Sequence, residues 1–333
     1  MKNVDFGRCA LGICLAAAML AGCGGSQPPI GAPGVMPQTS ALATHADRGK
    51  SWMLPGPSTG RSAHYAASGS LLYVTNLNPV YNDVTVYHAG GRNPTPIATI
   101  SDDLNGPAGD CLDSHGTLYV TNEPINYAGS VVEYAFGKTA PFRVITEGID
   151  TPAFCAIDGD GNLWVTNIGG PNATEYLRGS KKPHTVITMD MVYPTGIAVD
   201  SSGNVYVSNR LSTGGDVVVF PPGSTTPSRT ITDGVTSPVA LAIDASDDLY
   251  VTNVTQSNVE EYAPGQDRPF RTITRGIGTP AGVTVSKKGW LFVANYNDTV
   301  VEFRPGSTRP SKREISKGLH GANGLAIYPA VLP

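Results

Sequence analysis

The sequence has few charged residues and no excess of basic ones. Asp, Glu, Lys and Arg make up 15% of its 333 residues, and the formal net charge at pH 7 is -4. Nucleic-acid-binding proteins neutralise phosphates with clustered Lys and Arg, so we expect no nucleic-acid partner. Helical periodicity is also lacking, which argues against a helical architecture. With 40% hydrophobic residues, the chain is able to bury a large core as one domain.

The apolar run at the N-terminus is too short to span a bilayer as a structural helix. It covers residues 9–21 and follows the basic residues Lys2 and Arg8, a pattern typical of a signal peptide. The run ends in Leu20-Ala-Gly-Cys23, which resembles the lipobox of bacterial lipoproteins. The resemblance implies that residues 1–22 are a lipoprotein signal peptide and that Cys23 becomes the lipidated N-terminus. An ordinary secretory signal with an unrelated Cys is the alternative.

The segment after Cys23 is rich in Gly, Pro, Ser and Ala up to residue 60. It has no strand or helix periodicity, so we expect residues 23–60 to form a lipidated Cys and a flexible linker. Acyl chains on Cys23 place the chain at the cell envelope, on the outer membrane or the periplasmic face and outside the cytoplasm. The lipid anchor is then its only contact with the membrane.

The rest of the sequence repeats one hairpin. From Pro194 to Asn209, two short apolar runs flank an Asp-x-x-Gly-Asn turn, which predicts antiparallel strands. The second arm reads Tyr-Val-Thr-Asn or a close variant, and its copies end at Asn76, Asn122, Asn167, Asn209, Asn253 and Asn295. Successive copies lie 46, 45, 42, 44 and 42 residues apart. An all-strand repeat of that length is typical of propeller blades.

The pattern Pro-x-Gly-Ile-Ala-Val-Asp followed by Gly-Asn-x-Tyr-Val-x-Asn resembles the NHL and Tyr-Val-Thr-Asn β-propeller repeats of bacterial envelope proteins. The resemblance implies an all-β fold, a six-bladed β-propeller over residues 61–333, with four strands in each blade. Residues 322–327 match residues 194–199 far better than residues 61–66 do. We therefore expect the C-terminal segment to supply the innermost strand of the first blade and to close the ring. We expect a monomer.

Most of the length variation between repeats lies in the loop after the second strand. The longer insertions are residues 77–83, 123–130 and 210–216. In a propeller these loops share one face with the segments that lead into each innermost strand, and variable loops on a rigid scaffold are where binding usually resides. We predict a binding site at this rim, with the six Asn residues ringing an axial depression. The structural alternative is that each Asn caps a strand end.

No blade contains the catalytic pair of the virginiamycin B lyase family, which the repeat design resembles. That family places a His ahead of an innermost strand and a Glu at the end of the second strand, where this chain has Thr195 and Asn209, or Ala281 and Asn295. Gluconolactonase-like propellers, also similar in repeat design, hold a divalent metal near the axis with a Glu and several Asn or Asp oxygens. With the six Asn residues as ligands, a calcium or magnesium site at the axis stays an open alternative here, although no equivalent axial Glu is evident.

Two residues depart from the repeat and are further candidates for binding. Asp110 stands where other innermost strands have Cys155, Ile197, Leu241 and Val283. A carboxylate in an apolar layer needs partners or a raised pKa, which suggests a function. A slip of one residue that exposes Asp110 at the rim is the alternative. His320 precedes the closing strand on the same face, and a solvated loop His is the alternative there.

Two cysteines remain once Cys9 and Cys14 leave with the signal and Cys23 is lipidated. Cys111 and Cys155 lie 11 and 12 residues before the Asn that ends their repeats, which puts them on facing sides of adjacent innermost strands. In an oxidising compartment this favours a disulfide between blades two and three. Two free buried thiols are the alternative.

These features together predict a lipid-anchored, extracytoplasmic propeller that acts as a binding scaffold. Its expected partner is a protein or glycan of the cell envelope, and no cofactor is required. The alternative is a metal-dependent hydrolase or lyase, lactonase-like, that uses the axial site. Three or more carboxylate or Asn oxygens converging around the axis would favour the enzyme.

Overall fold

A computed structural model describes residues 69–332, except residues 79, 125–127 and 212–213. Within these residues all regular secondary structure is β-strand. No helix in this part of the chain is long and apolar enough to cross a membrane. The predicted signal peptide at 1–22, the predicted lipidated Cys23 with its linker to residue 60, and residues 61–68 of the predicted propeller lie outside the described residues.

The strands are short and follow one another in a regular succession. The first twelve are β1 (Leu71–Asn76), β2 (Asp83–His88), β3 (Ala98–Ile100), β4 (Pro107–Leu112), β5 (Leu118–Asn122), β6 (Ser130–Tyr134), β7 (Pro141–Ile145), β8 (Pro152–Ile157), β9 (Leu163–Asn167), β10 (Asn172–Tyr176), β11 (Thr185–Ile187) and β12 (Pro194–Val199). The next twelve are β13 (Val205–Leu211), β14 (Gly214–Phe220), β15 (Arg229–Ile231), β16 (Pro238–Ile243), β17 (Leu249–Asn253), β18 (Asn258–Tyr262), β19 (Arg271–Ile273), β20 (Pro280–Val285), β21 (Leu291–Asn295), β22 (Thr299–Phe303), β23 (Pro310–Ile315) and β24 (Ala322–Tyr328).

These strands form six antiparallel sheets of four strands each, and each sheet is one blade of a propeller. In blades two to six the strands follow chain order outwards from the axis, so β4, β8, β12, β16 and β20 are innermost. Each innermost strand contacts the innermost strand of the next blade, and β24 completes the ring between β20 and β4. The predicted all-β, six-bladed propeller is confirmed.

The first blade is completed by a strand from the far end of the chain. β24 pairs antiparallel with β1, where Tyr73 lies opposite Ala326 and Val74 opposite Leu325. Apolar side chains of these two strands join those of blade six in one buried cluster. This confirms the predicted closure, in which the C-terminal strand covers the edge between first and last blades.

Each innermost strand carries an irregularity near its start, because its pairing with the second strand shifts register in all six blades. In blade three the N–H of Phe154 at this irregularity donates to Oγ1 of Thr166 at 3.1 Å. Thr166 in turn donates to the carbonyl of Thr195 in blade four at 2.5 Å. The same N–H to hydroxyl bond joins Gly109 to Thr121, Gly196 to Ser208, Ala240 to Thr252 and Gly324 to Thr75. The hydroxyl of the Thr or Ser in the Tyr-Val-Thr-Asn motif therefore accepts a backbone N–H of the innermost strand that the irregular pairing leaves without a strand partner.

The predicted disulfide is present. Cys111 of β4 and Cys155 of β8 are bonded, with their Cα atoms 5.8 Å apart. Cys155 is the fourth residue of its strand and Cys111 the fifth, so a fourth-position side chain meets the fifth-position side chain of the preceding blade. The other blades place small residues at the fifth position: Ala156, Ala198, Ala242, Thr284 and Ala326.

Candidate functional site

One face of the ring is formed by the loops after the second strands together with the connections between blades, and we call this face the rim. Its described residues lie within 77–82, 123–129, 168–171, 254–257 and 296–298 in the loops and within 101–106, 146–151, 188–193, 232–237, 274–279 and 316–321 in the connections. In every blade the residue after the motif Asn donates its backbone N–H to the carbonyl that precedes the innermost strand. Ile168, for example, donates to Thr151 at 2.9 Å. Loops and connections therefore share one face, as the repeat predicts.

The six motif Asn residues lie beneath the rim and are buried. Asn167 shows the shared pattern: its Oδ1 accepts the N–H of Asp150 at 3.0 Å. Its Nδ2 donates to the carbonyl of Gly148 at 3.2 Å and to Oδ1 of Asn172 at 2.9 Å. A bond from the connection N–H to the Asn Oδ1 recurs at Asn76, Asn122, Asn209, Asn253 and Asn295. The Asn side chains thus hold each connection against the third strand, and none of them lines the axial cavity described below.

His320 lies on the rim at the point where the ring closes. Its ring stacks on Tyr81, with centroids 3.6 Å apart and planes inclined by 6°. Its backbone N–H donates to Oδ1 of Asn76 at 2.9 Å, and Nδ2 of Asn76 donates to Asp83 at 2.6 Å. Burial raises the pKa of Asp83, while the Asn76 hydrogen bond and the charge of His320 oppose that rise. The repeat pattern indicates His320 but not Tyr81, whose only sequence signal is its position in a long insertion.

Exposed large apolar side chains are frequent on the rim. Val80 is 80% exposed and Tyr81 48%, both in the insertion of blade one. Met189 is 48% exposed and Val192 61%, both in the connection between blades three and four, across the axis from the closure point. Of the other large apolar side chains exposed in the described part of the chain, two lie on outermost strands, one directly precedes an outermost strand and one follows a third strand: Phe142, Val186, Phe270 and Leu177. Contiguous exposed apolar patches often mark a contact surface, and on the rim these side chains lie in two segments on opposite sides of the axis.

The axial cavity is the second candidate site. It has a volume of about 130 Å³ and is lined by residues of all six innermost strands. Asp110 lines this cavity, is 5% exposed, and neither carboxylate oxygen has a hydrogen-bond partner. Burial raises the pKa of Asp110 well above its ordinary value, and nearby N–H groups of Ala326 and of Asp110 itself oppose this only in part.

The sequence-based position of Asp110 in the apolar layer is correct. Asp110 pairs with Val120 in the same register in which Ile197 pairs with Val207. The alternative of a one-residue slip that would expose Asp110 at the rim is therefore wrong. The structure places Asp110 on the wall of the axial cavity and His320 among the rim loops.

Carboxylate, imidazole and thiol groups do not cluster as metal ligands in the described residues. No group of three His, Cys, Asp or Glu side chains in residues 69–332, with the gaps given above, is close enough to hold a metal ion. The repeated turn aspartates bind their own turns: Oδ1 of Asp158 accepts the N–H groups of Asp160 and Asn162 at 3.0 and 2.8 Å. The same arrangement is found at Asp113, Asp200 and Asp244. These side chains are turn formers, as the sequence indicates.

A cleft of about 460 Å³ lies between blades three and four and is lined in part by Glu175 and His184. Glu175 lies opposite Thr185 in the outermost strand, whereas blade two places Glu133 opposite Arg143. The repeat pattern did not predict this cleft. The only sign of the cleft in the sequence is that the outermost strand of blade three has Thr185 where that of blade two has Arg143.

Comparison with known proteins agrees with this architecture. A family model described as a β-propeller repeat matches residues 190–208, which cover β12 and the start of β13. No curated protein matches the chain. A chain from a crystal structure of a nidogen/laminin complex is 17% identical, with a TM-score of 0.66, over 78% of this chain and 98% of that one.

A protein of unknown function from Bacteroides caccae is 11% identical, with a TM-score of 0.62, over 78% of this chain and 99% of that one. Structural similarity at such low sequence identity shows a shared fold and does not indicate a shared function. The repeat match, the structural relatives and the six closed sheets together identify the chain as a β-propeller.

Proposed function

We propose that this chain is a binding scaffold of the cell envelope, anchored through a lipidated Cys23, and that it binds a protein partner on its rim. The observation that carries the proposal is the exposure of Val80, Tyr81, Met189 and Val192 on that one face. Covering apolar surface removes it from water, which favours association. Aromatic residues and Met are also enriched where proteins bind one another.

The construction of the rim supports the same function. The motif Asn residues and the backbone bonds beneath each loop fix the frame, while the insertions differ in length from blade to blade. A fixed frame that carries varied loops is how many scaffolds present a binding surface. The propeller of similar fold from the nidogen/laminin complex supports protein binding as one use of this architecture, without indicating the partner here.

The test is site-specific photo-crosslinking in the native cells. A photoreactive amino acid replaces Val80 or Val192 at the rim, and as matched controls Leu177 or Val186, which are 43% and 45% exposed away from the rim. The proposal predicts a discrete crosslinked protein from the rim positions and none from the control positions. Equal crosslinking from all four positions, or none from the rim, would refute it.

A glycan partner is the second candidate, because the exposed Tyr81 ring lies stacked on His320 at the rim. Binding of the purified chain to envelope glycans, lost in Tyr81→Ala and retained in Phe142→Ala, would favour it. Phe142 is a matched control because it is 57% exposed on an outermost strand.

The anchor is tested separately from the rim. In the native cells the wild-type chain is expected to take up a labelled fatty acid and to fractionate with membranes. Cys23→Ser removes the acceptor thiol, so label and membrane association should both disappear. Unchanged membrane association in Cys23→Ser would argue for an ordinary secreted protein.

A further inference from the structure

The cleft between blades three and four lies on the face opposite the rim. Turns after the innermost strands of both blades and the turn after β14 form much of its wall. Its described lining contains four carboxylates and one basic side chain: Asp158, Asp160, Glu175, Asp200 and His184. A recess whose walls carry mostly carboxylates favours a cation over an anion.

Other blades fill the equivalent space with an Arg of their own outermost strand. In blade two the guanidinium of Arg143 bonds both carboxylate oxygens of Glu133. It also donates from Nη1 to the carbonyl of Gly179 in blade three at 2.8 Å. Arg271 approaches Gly306 of the next blade in the same way, since a Cβ there would lie 3.4 Å from its Nη1. The Arg therefore bridges a third-strand Glu and a turn Gly of the neighbouring blade.

Blade three retains both ends of this bridge but lacks the Arg. Glu175 lies opposite Thr185, whereas Glu133 lies opposite an Arg. Gly223 of blade four occupies the same turn position as Gly179, and it lines the cleft. A Cβ on Gly223 would meet no described atom within 4 Å. The space that an Arg side chain fills between blades two and three is thus open between blades three and four.

Glu175 has little to compensate its charge. It is partly exposed, whereas Glu133 is 0% exposed beneath its Arg. Oε1 of Glu175 accepts one long bond, 3.4 Å from Nδ2 of Asn162, and no Lys or Arg of the described residues pairs with it. Asp158 and Asp200 instead accept the N–H groups of their own turns. Glu175 therefore offers the cleft an accessible carboxylate with free acceptor capacity.

We propose that this cleft binds a guanidinium group of a ligand, in the place that Arg143 takes between blades two and three. The N–H groups of the ligand bond Glu175 and the carbonyl of Gly223. A guanidinium is planar and carries five N–H donors in a fork that matches a carboxylate. The site lies on the other face from the rim and is independent of the function proposed for the rim.

The cleft is large enough for more than the guanidinium itself. Its volume of about 460 Å³ lies within the range of small-molecule sites, about 300–1,000 Å³. A free arginine-like molecule and an arginine side chain of a partner protein both carry the group that the cleft recognises. The probes below separate these two sources.

The test is calorimetric titration of the purified full-length chain at low salt with N-acetyl-L-arginine amide and with free L-arginine. We expect saturable binding at one site per chain. Tighter binding of the amide, which resembles an arginine within a polypeptide, would indicate a partner protein, and tighter binding of L-arginine a small molecule. N-acetyl-L-citrulline amide, which has nearly the same shape without the charge, should bind at least about tenfold more weakly. N-acetyl-L-lysine amide should also bind more weakly, because an ammonium lacks the planar fork.

Two pairs of variants test the residues. Glu175→Gln removes the charge and should weaken binding at least about tenfold, whereas Glu314→Gln, the same change at an exposed residue of β23, should bind like wild type. Thr185→Arg gives blade three the Arg of blade two and should abolish binding by filling the cleft. Val186→Arg adds the same charge at the next residue, whose side chain points to the opposite face of the sheet, and should retain binding.

The proposal would be overturned by absence of saturable binding of both arginine probes, or by equal affinity for the citrulline or the lysine probe. Unchanged binding in Glu175→Gln or in Thr185→Arg would overturn it as well. The two variants alter opposite ends of one contact, so either remains informative if the other fails to fold. Rim crosslinking from Val80 should be unchanged in both, so the cleft and the rim can fail independently.

Discussion

At the scale of single residues, the two polar members of the Tyr-Val-Thr-Asn motif have different tasks. The hydroxyl accepts the N–H released by the irregular innermost strand, as Thr166 does for Phe154. The Asn amide holds the connection between blades, as Asn167 does for Gly148 and Asp150. Leaving such buried groups unsatisfied costs about 1–3 kcal/mol each. This explains why both residue types recur in blade after blade.

Thr166→Val tests the hydroxyl. The variant keeps shape and volume but leaves the N–H of Phe154 without its acceptor, so the free energy of unfolding should fall by about 1–3 kcal/mol. Thr166→Ser, which copies Ser208 of blade four, is the matched control and should lose less than Thr166→Val. Urea unfolding measures both, and equal losses would contradict the role given to the hydroxyl.

Asp110→Val tests the cost of the buried carboxyl. Burial raises the folded-state pKa of Asp110, so the stability this group contributes is full below the unfolded pKa of about 3.9 and is lost as pH rises through the folded value. Asp110→Val should therefore be more stable than wild type near pH 8, by about 1–3 kcal/mol.

The difference between the two proteins should shrink as the pH is lowered towards 4, because wild type then regains stability. Chemical unfolding across this pH range measures it. A difference independent of pH would mean that Asp110 has the same pKa in the folded and unfolded chain.

At the scale of strands and blades, ion pairs attach several outermost strands to the third strand. In blade five both carboxylate oxygens of Glu261 bond Arg271, and the Glu261 side chain is 1% exposed. Blade two repeats the arrangement with Glu133 and Arg143. Burial raises the pKa of Glu133, and the bond from Arg143 opposes that rise. A buried Glu that loses its Arg is left as an uncompensated charge.

Arg271→Met is therefore expected to reduce the free energy of unfolding by about 3–5 kcal/mol. Arg268→Met is the matched control, because the ion pair of Arg268 with Asp233 spans 3.7 Å between side chains that are 89% and 62% exposed. Loss of this exposed ion pair should change the free energy of unfolding by less than about 1 kcal/mol. Thermal and urea unfolding of both variants measure the contrast, and similar losses would show that burial of the pair is unimportant.

The disulfide links blades two and three at the axis. The double variant Cys111→Ala with Cys155→Val copies the residue types of other blades at these positions, such as Ala198 and Val283. The bridge spans 44 residues, and constraint of an unfolded loop of that size predicts a loss of roughly 4 kcal/mol. Urea unfolding with and without a reductant measures it. A reductant that destabilises the double variant as much as wild type would contradict this source of stability.

At the scale of the whole molecule, β24 converts a row of six sheets into a closed ring. A chain that ends after Leu319 should lose its cooperative unfolding transition, because β1 loses its partner strand and Leu72 and Val74 lose their cover. A chain that ends after Pro329 keeps β24 and should retain one transition. Calorimetry of both chains tests this, and a cooperative transition in the shorter chain would show that closure is dispensable.

The architecture could be predicted from the sequence because it rests on a repeat. Six hairpin copies, their spacing and the match of residues 322–327 to an innermost strand fix blade number and closure. Facing positions on adjacent strands likewise predicted the bond between Cys111 and Cys155. These features depend on local patterning and on one simple ring geometry.

The candidate sites were less predictable because they depend on departures from the repeat. Asp110 was recognisable as an odd residue, but its cavity exists only when six strands and residues 330–332 come together. The stack of Tyr81 on His320 joins an insertion to a connection distant in sequence. The hydrogen bonds that occupy the Asn amides were also beyond the pattern, since it does not specify their partners.

β24 follows every other strand of the ring in sequence, and this order has a consequence for biogenesis. A ribosome adds Ala322 after every other strand, and until then the nascent chain presents β1 with an unpaired edge. Such an edge is a template for pairing with foreign strands. Each newly made molecule therefore passes through a vulnerable interval that lasts until β24 is made, and a holdase that covers the edge of β1 would protect it during that time.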